Sequence, residues 1–215
     1  SVGAGIFESC HTDPLTQAAK QLTNLGITVV TAAGNFGKNA NGEKQWGAIT
    51  APGNAPWVLT VGASSTQGTN TRADDVMGTY SSLGPTRFDY HAKPDLVAPG
   101  TGTVSLSVPG SSLYTMRGSS LVAGSTPLGY MPYLSLTGTS MAAPVVSGTV
   151  ALMLQANPNL TPNLIKAILQ YTSQPYPGYK PLEQGAGFLN ALGAVRLARF
   201  YALNSSNQSM PTQKS

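Results

Sequence analysis

Ser140 is the residue of this sequence with the plainest capacity for chemistry. It stands in Gly138-Thr139-Ser140-Met141-Ala142-Ala143-Pro144, between a glycine-led turn and a small, apolar run that reads as the start of a helix. A serine hydroxyl attacks little at neutral pH unless a base takes its proton. At a helix N-terminus, unpaired backbone N–H groups face incoming negative charge and the helix dipole favours it. The N–H of Ser140 could therefore hold part of a tetrahedral oxyanion. The small residues Ala142, Ala143 and Ser147 would let such a helix lie close to a sheet. Serine also caps helices without doing chemistry. The lipase-type G-x-S-x-G elbow is not met, because Ala142 fills its last position.

A second stretch, Thr31-Ala32-Ala33-Gly34-Asn35, ends an apolar run at a turn. In a parallel sheet, active sites gather at the carboxyl edge of the strands. An Asn35 amide at that edge could donate a second hydrogen bond to an oxyanion, although asparagine after glycine is equally an ordinary turn residue. Bases are few. His11 and His91 are the two histidines, and both read as loop residues rather than as partners of the serine, which a base must approach to about 2.6–3.2 Å. Cys10 beside His11 is not read as a thiol nucleophile, since adjacent side chains rarely face one another in working geometry. The sequence thus offers a nucleophile and oxyanion donors without an evident base.

Composition narrows the classes further. The chain has 215 residues, enough for one domain with a real core. Its net charge of +4 comes from scattered residues such as Arg72, Arg87, Lys93, Arg196 and Arg199, with no basic stripe of the kind that nucleic acid requires. One cysteine excludes an internal disulfide and a CxxC-type metal site. No stretch reads as the roughly 18 apolar residues of a membrane span. The opening residues lack an initiator Met and the layout of a signal peptide, and read as the middle of something larger.

The elements that must position Ser140 and Asn35 are legible. Thr12 or Asp13 can cap a helix with Pro14 in its first turn, and Gly26 ends it. An apolar strand over 27–35 follows, and this helix-then-strand order belongs to parallel α/β architecture. Further strands are expected at 57–63, within 93–100 and at 104–108, with 36–56 as loop and 109–133 as a long loop without periodicity. Three helices close the chain: about 140–156, from Thr161-Pro162 to about Tyr171, and about 190–203. Residues 204–215 read as a polar, disordered tail.

Several stretches, in this order, resemble the subtilisin-like serine proteases: SVG, VVTAAGN, ITAPGNAPWVLTVGA, SSLGPT, KPDLVAPG, GTSMAAPVVSGTVALML and QGAGFLNALGAV. The resemblance covers about residues 1–198. It implies a three-layer α/β fold, a mostly parallel sheet flanked by helices, with 1–203 as the C-terminal portion of a peptidase domain. It makes Ser140 the nucleophile and Asn35 the side-chain oxyanion donor. It places Ser1, Val2 and Gly3 on one wall of the primary specificity pocket and Ala32, Ala33 and Gly34 on the other, with Thr50 near the base. Small residues on both walls suggest a preference for large apolar or aromatic residues before the cut.

The family's Asp (in D-[ST]-G) and His (in H-G-T-H) are not in this sequence, so the resemblance implies an upstream segment as a partner, carrying both together with several central strands. This chain alone is then expected to be inactive, with an open sheet edge. Polypeptide is the implied substrate, no organic cofactor is implied, and neither nucleic acid nor membrane is a partner. In some relatives the counterpart of Asp95, with carbonyls such as those of Gly53, Ala55 and Val58, holds a weakly bound calcium or sodium. Secretion is expected, though some relatives of this type stay inside the cell. Residues 101–136 form a stretch longer than in the shortest members and could rim the cleft. A catalytically dead binding or scaffold relative is the alternative, and esterase chemistry on small activated esters a third.

Overall fold

The first helix, α1 (Pro14–Asn24), forms as its caps dictate: Asp13 accepts a hydrogen bond from Thr16 N at 2.8 Å, and Pro14 opens the helix. The chain turns at Gly26 and enters β1 (Val30–Ala32). β2 (Leu59–Ser65) runs parallel to it, with Val30 opposite Leu59. β4 (Leu96–Pro99) is parallel to β2 on its other side, with Val61 opposite Leu96, and the two-residue β3 (Val76–Met77) pairs antiparallel with the end of β2. The computed structural model describes residues 3–203; the tail expected at 204–215 lies outside the described residues.

β2 is buried along almost its whole length, as a central strand between two neighbours must be. Alternation along the strands feeds two cores. Leu59, Val61, Ala63, Leu96 and Ala98 pack against Ala142, Val146, Val150 and Met153 of α3 (Thr139–Ala156). Those α3 residues recur at helical spacing, so one face of the helix lies on the sheet. Behind it stand α4 (Pro162–Thr172), capped by Thr161, and α6 (Ala191–Leu203). On the opposite face, Val29, Trp57 and Val58 pack with Cys10 and Ala19 beside α1. The result is the three-layer arrangement of helices flanking a mostly parallel sheet. α3 is long and apolar enough to pass for a membrane span by composition, but here it is the core helix of the fold.

The structure departs from expectation in several places. The first strand is three residues long rather than nine: 27–29 precede the ladder, and after Ala33, which still donates to Val61 O, Gly34 and Asn35 turn away from it. The stretch expected as loop over 109–133 holds α2 (Ser112–Met116) and β6 (Leu121–Val122), and β7 (Tyr133–Leu136) starts at its end; with β5 (Thr103–Leu106), which overlaps the strand expected at 104–108, these strands form a separate antiparallel sheet in the order β5-β7-β6. A short α5 (Pro181–Gln184) also escaped the sequence reading. Among the described residues, β1 has a strand partner on one edge only, in keeping with the expected open edge.

Candidate active site

Ser140 sits at the second position of α3, where a backbone N–H has no acceptor within its own helix. The turn before it is held against the end of β4: Gly138 N donates to Gly100 O at 2.8 Å. The approach is close enough that a Cβ on Gly100 would lie 2.7 Å from the Gly138 oxygen. This is why the strand KPDLVAPG ends in glycine.

The two sequence stretches meet at Thr139. Its backbone N–H donates to Asn35 Oδ1 at 2.9 Å and its hydroxyl donates to the same oxygen at 3.0 Å. Gly34 N donates in turn to Thr139 Oγ1 at 3.1 Å. The amide is thus fixed through its oxygen, with its nitrogen near the Gly138 turn: a Cβ added to Gly138 would be 3.3 Å from Asn35 Nδ2. Gly34 has φ +105, and a Cβ there would meet Thr50 Cγ2 at 2.7 Å and Ser82 Oγ at 2.8 Å. Only glycine fits that turn. Ser82 also accepts from Phe36 N at 3.0 Å, securing the far side of Asn35.

A cleft of about 320 Å³ opens beside these residues. Gly3, Ala32, Gly34, Asn35, Thr50 and Ser140 all line it. Ala33, expected on the same wall, is not among the lining residues. It is completely buried, its N–H donates to Val61 O and its carbonyl accepts from Thr50 N at 2.9 Å, so it braces the wall from behind. Ser1 and Val2 lie outside the described residues. Sequence reasoning missed Thr139, because a threonine at the start of a helix carries no chemical signal. It also missed Ala4, Gly5 and Phe36, which line the cleft through the antiparallel bridge of Ala4 to Ala51 and the turn after Asn35.

No histidine or carboxylate is among the described residues that line the cleft. The rings of His11 and Trp57 meet in a T-shaped arrangement with centroids 5.6 Å apart, and His91 Nε2 lies 3.9 Å from Cys10 Sγ. Cys10 is fully buried. Burial, reinforced by the hydrogen bond to Asp89, pushes its thiol up to about 12, which in the absence of a metal ion disfavours the thiolate a nucleophile needs.

The cation expected at Asp95 does not fit. Asp95 Oδ2 accepts from Thr60 N and from Lys93 Nζ, both at 2.7 Å, and Oδ1 pairs with Lys166 Nζ at 2.9 Å. The carbonyl of Val58 receives both ammonium groups, at 3.1 Å from Lys93 and 3.0 Å from Lys166, and that of Gly53 accepts from Thr60 Oγ1 at 2.6 Å. Of the four residues proposed, only Ala55 has no part in this network. Calcium or sodium placed among these oxygens would face two positive charges. Burial pushes the Lys93 ammonium down from its ordinary pKa, with Asp95 opposing and Lys166 adding to the shift. The lysines occupy the role that the sequence reading gave to a metal.

The sequence profile of the subtilase family matches residues 1–195. The serine protease AprX of Bacillus subtilis is 37% identical over 183 residues, covering 85% of this chain and 38% of that protein. An extracellular protease of Xanthomonas campestris is 34% identical over 199 residues, covering 92% of this chain and 28% of that protein. The chain therefore spans well under half the length of these relatives. In three dimensions it is similar to a protease from Pseudoalteromonas arctica, with a TM-score of 0.62 and 28% identity, over 92% of this chain and 49% of that one. The serine turn, the asparagine clamped to it and the layered sheet beneath them agree with these similarities, and the chain belongs to the subtilase family.

Proposed function

We propose that this chain is the part of a serine endopeptidase domain that carries the nucleophile and the oxyanion hole. One observation carries the reading: Thr139 grips the Asn35 amide by its oxygen at the first residue of the helix on which Ser140 stands. The amide N–H groups and the Ser140 N–H then serve as preorganised donors for charge that develops in the transition state.

The reaction runs by acyl transfer. Ser140 Oγ attacks the carbonyl carbon of a peptide bond while its proton passes to a histidine. The tetrahedral oxyanion is held by Asn35 and the Ser140 N–H. Collapse breaks the C–N bond as the histidine protonates the leaving amine, and water then hydrolyses the acyl-enzyme by the same route. We assign that histidine, and the aspartate that orients it, to a segment outside residues 1–215. The cleft lining without a histidine and the open edge of β1 support this.

Polypeptide is the substrate, and the small residues of the cleft walls favour a large apolar or aromatic side chain before the cut. The extracellular protease among the relatives supports secretion. Hydrolysis of peptide anilides by the full-length protein tests the reading. Turnover should favour Phe or Leu over Asp before the scissile bond, and should vanish in Ser140→Ala. Turnover of small esters alone would overturn the endopeptidase assignment.

A further inference from the structure

The loop before α1 and the loop before β4 bring three ligand-type side chains together on the α1 face of the sheet. The ligating atoms of Cys10, His11 and His91 all lie within 4.8 Å of one another, and Cys10 Sγ is 3.9 Å from His91 Nε2. None of the three lines the cleft of Ser140. In a tetrahedral zinc site with Zn–S of about 2.3 Å and Zn–N of about 2.0–2.1 Å, neighbouring ligand atoms are about 3.3–3.6 Å apart. Reaching that spacing requires the ligand atoms to close by up to about 1.5 Å. We propose that Cys10, His11 and His91 bind one zinc ion, with water as the fourth ligand, stapling the N-terminal loop to the loop that leads into β4.

The backbone on both sides is already locked. Asp89 accepts from Cys10 N at 2.8 Å and from Ser9 Oγ at 2.5 Å, while His11 N donates to Ser9 Oγ at 3.1 Å. Across the site, His91 N donates to Thr86 Oγ1 at 2.9 Å and Thr86 N donates back to His91 O at 3.0 Å. Partners of this kind, one step behind the ligands, are what hold a metal site in shape.

The charges match as well. Binding releases the Cys10 proton to solvent, and the resulting thiolate together with Asp89 offsets the two charges of zinc. A thiolate with two imidazoles selects a borderline-soft ion over calcium or magnesium, which want oxygen. Cys10 is buried while His11 is exposed, so the ion can enter from the histidine side and keep its water.

Cobalt(II) is the probe, added to the full-length protein as Ser140→Ala to prevent self-digestion. One equivalent should bind, give a thiolate-to-cobalt charge-transfer band and be displaced by zinc. Cys10→Ser should remove that band, and Asp89→Asn should weaken binding by about 10- to 100-fold with the fold intact by circular dichroism. A folded protein whose cobalt spectrum is the same with and without Cys10 would overturn the proposal. The three side chains would then be a buried thiol hydrogen-bonded to a histidine and nothing more.

Discussion

Thr139 donates both its backbone N–H and its hydroxyl to one side-chain oxygen of Asn35, at 2.9 and 3.0 Å. The contact spans more than a hundred residues of sequence and sets the register between the turn after β1 and the start of α3. Asn35→Ala should lower kcat by about 100- to 1000-fold with little change in KM, the loss known for removal of such a donor from a protease of this family. Steady-state kinetics on a peptide anilide reads it directly.

Thr139→Val removes the hydroxyl and keeps the backbone donor. One hydrogen bond to Asn35 and the acceptor for Gly34 N are lost, so the amide is held less firmly. Such a bond is worth about 1 kcal/mol, so kcat should fall by about 5-fold. The double variant with Asn35→Ala should be no slower than Asn35→Ala alone, because Thr139 acts through Asn35. A multiplicative loss in the double variant would contradict this.

Gly34→Ala tests the geometry of the turn. The positive φ and the contacts at 2.7 and 2.8 Å leave no room for a methyl group. Unfolding by denaturant should show a loss of more than about 2 kcal/mol, and the remaining folded protein should have little activity.

Much of this was legible in the sequence. Asp13 with Pro14, and Thr161 with Pro162, announce α1 and α4 because capping chemistry is local. The buried strand β2 announces itself as an unbroken apolar run. Motif and position singled out Ser140 and Asn35, and the structure brings their two stretches together at Thr139. The partners of Asp95 were not: Lys166 is 71 positions away along the chain, and only packing of α4 against the sheet brings its ammonium to the carboxylate. Ala33 reads as a pocket wall because its neighbours are, yet strand alternation turns it inward. β5 falls where a strand is expected, but its partners β6 and β7 escaped because they are two and four residues long, leaving little alternation to read.

The lysines at Asp95 make a prediction of their own. Lys166→Met should destabilise the protein by about 1–3 kcal/mol, since a buried carboxylate loses a charged hydrogen-bond donor. The variant should recover part of that loss as sodium or calcium is raised. The parent, whose Asp95 keeps Lys166, should show no such recovery. Thermal unfolding of the pair across a salt series separates the two.

Glu183 gives a pH dependence. It is buried, and although burial alone would raise its pKa, the N–H of Lys180, at 2.7 Å, and the ammonium of Lys44 hold it below the ordinary value of 4.5. A carboxylate depressed in the folded state stabilises fully above its unfolded pKa and loses that stabilisation as pH falls through the folded one. Thermal unfolding between about pH 3 and 6 should therefore show a steeper acid loss in the parent than in Glu183→Gln.

Fluorophosphonate labelling of the full-length protein, mapped by tandem mass spectrometry, tests the central claim most directly. The account predicts one modified residue, Ser140, with labelling abolished in Ser140→Ala and strongly slowed in Asn35→Ala. Labelling of a folded protein at a different serine, or none at Ser140, would contradict it.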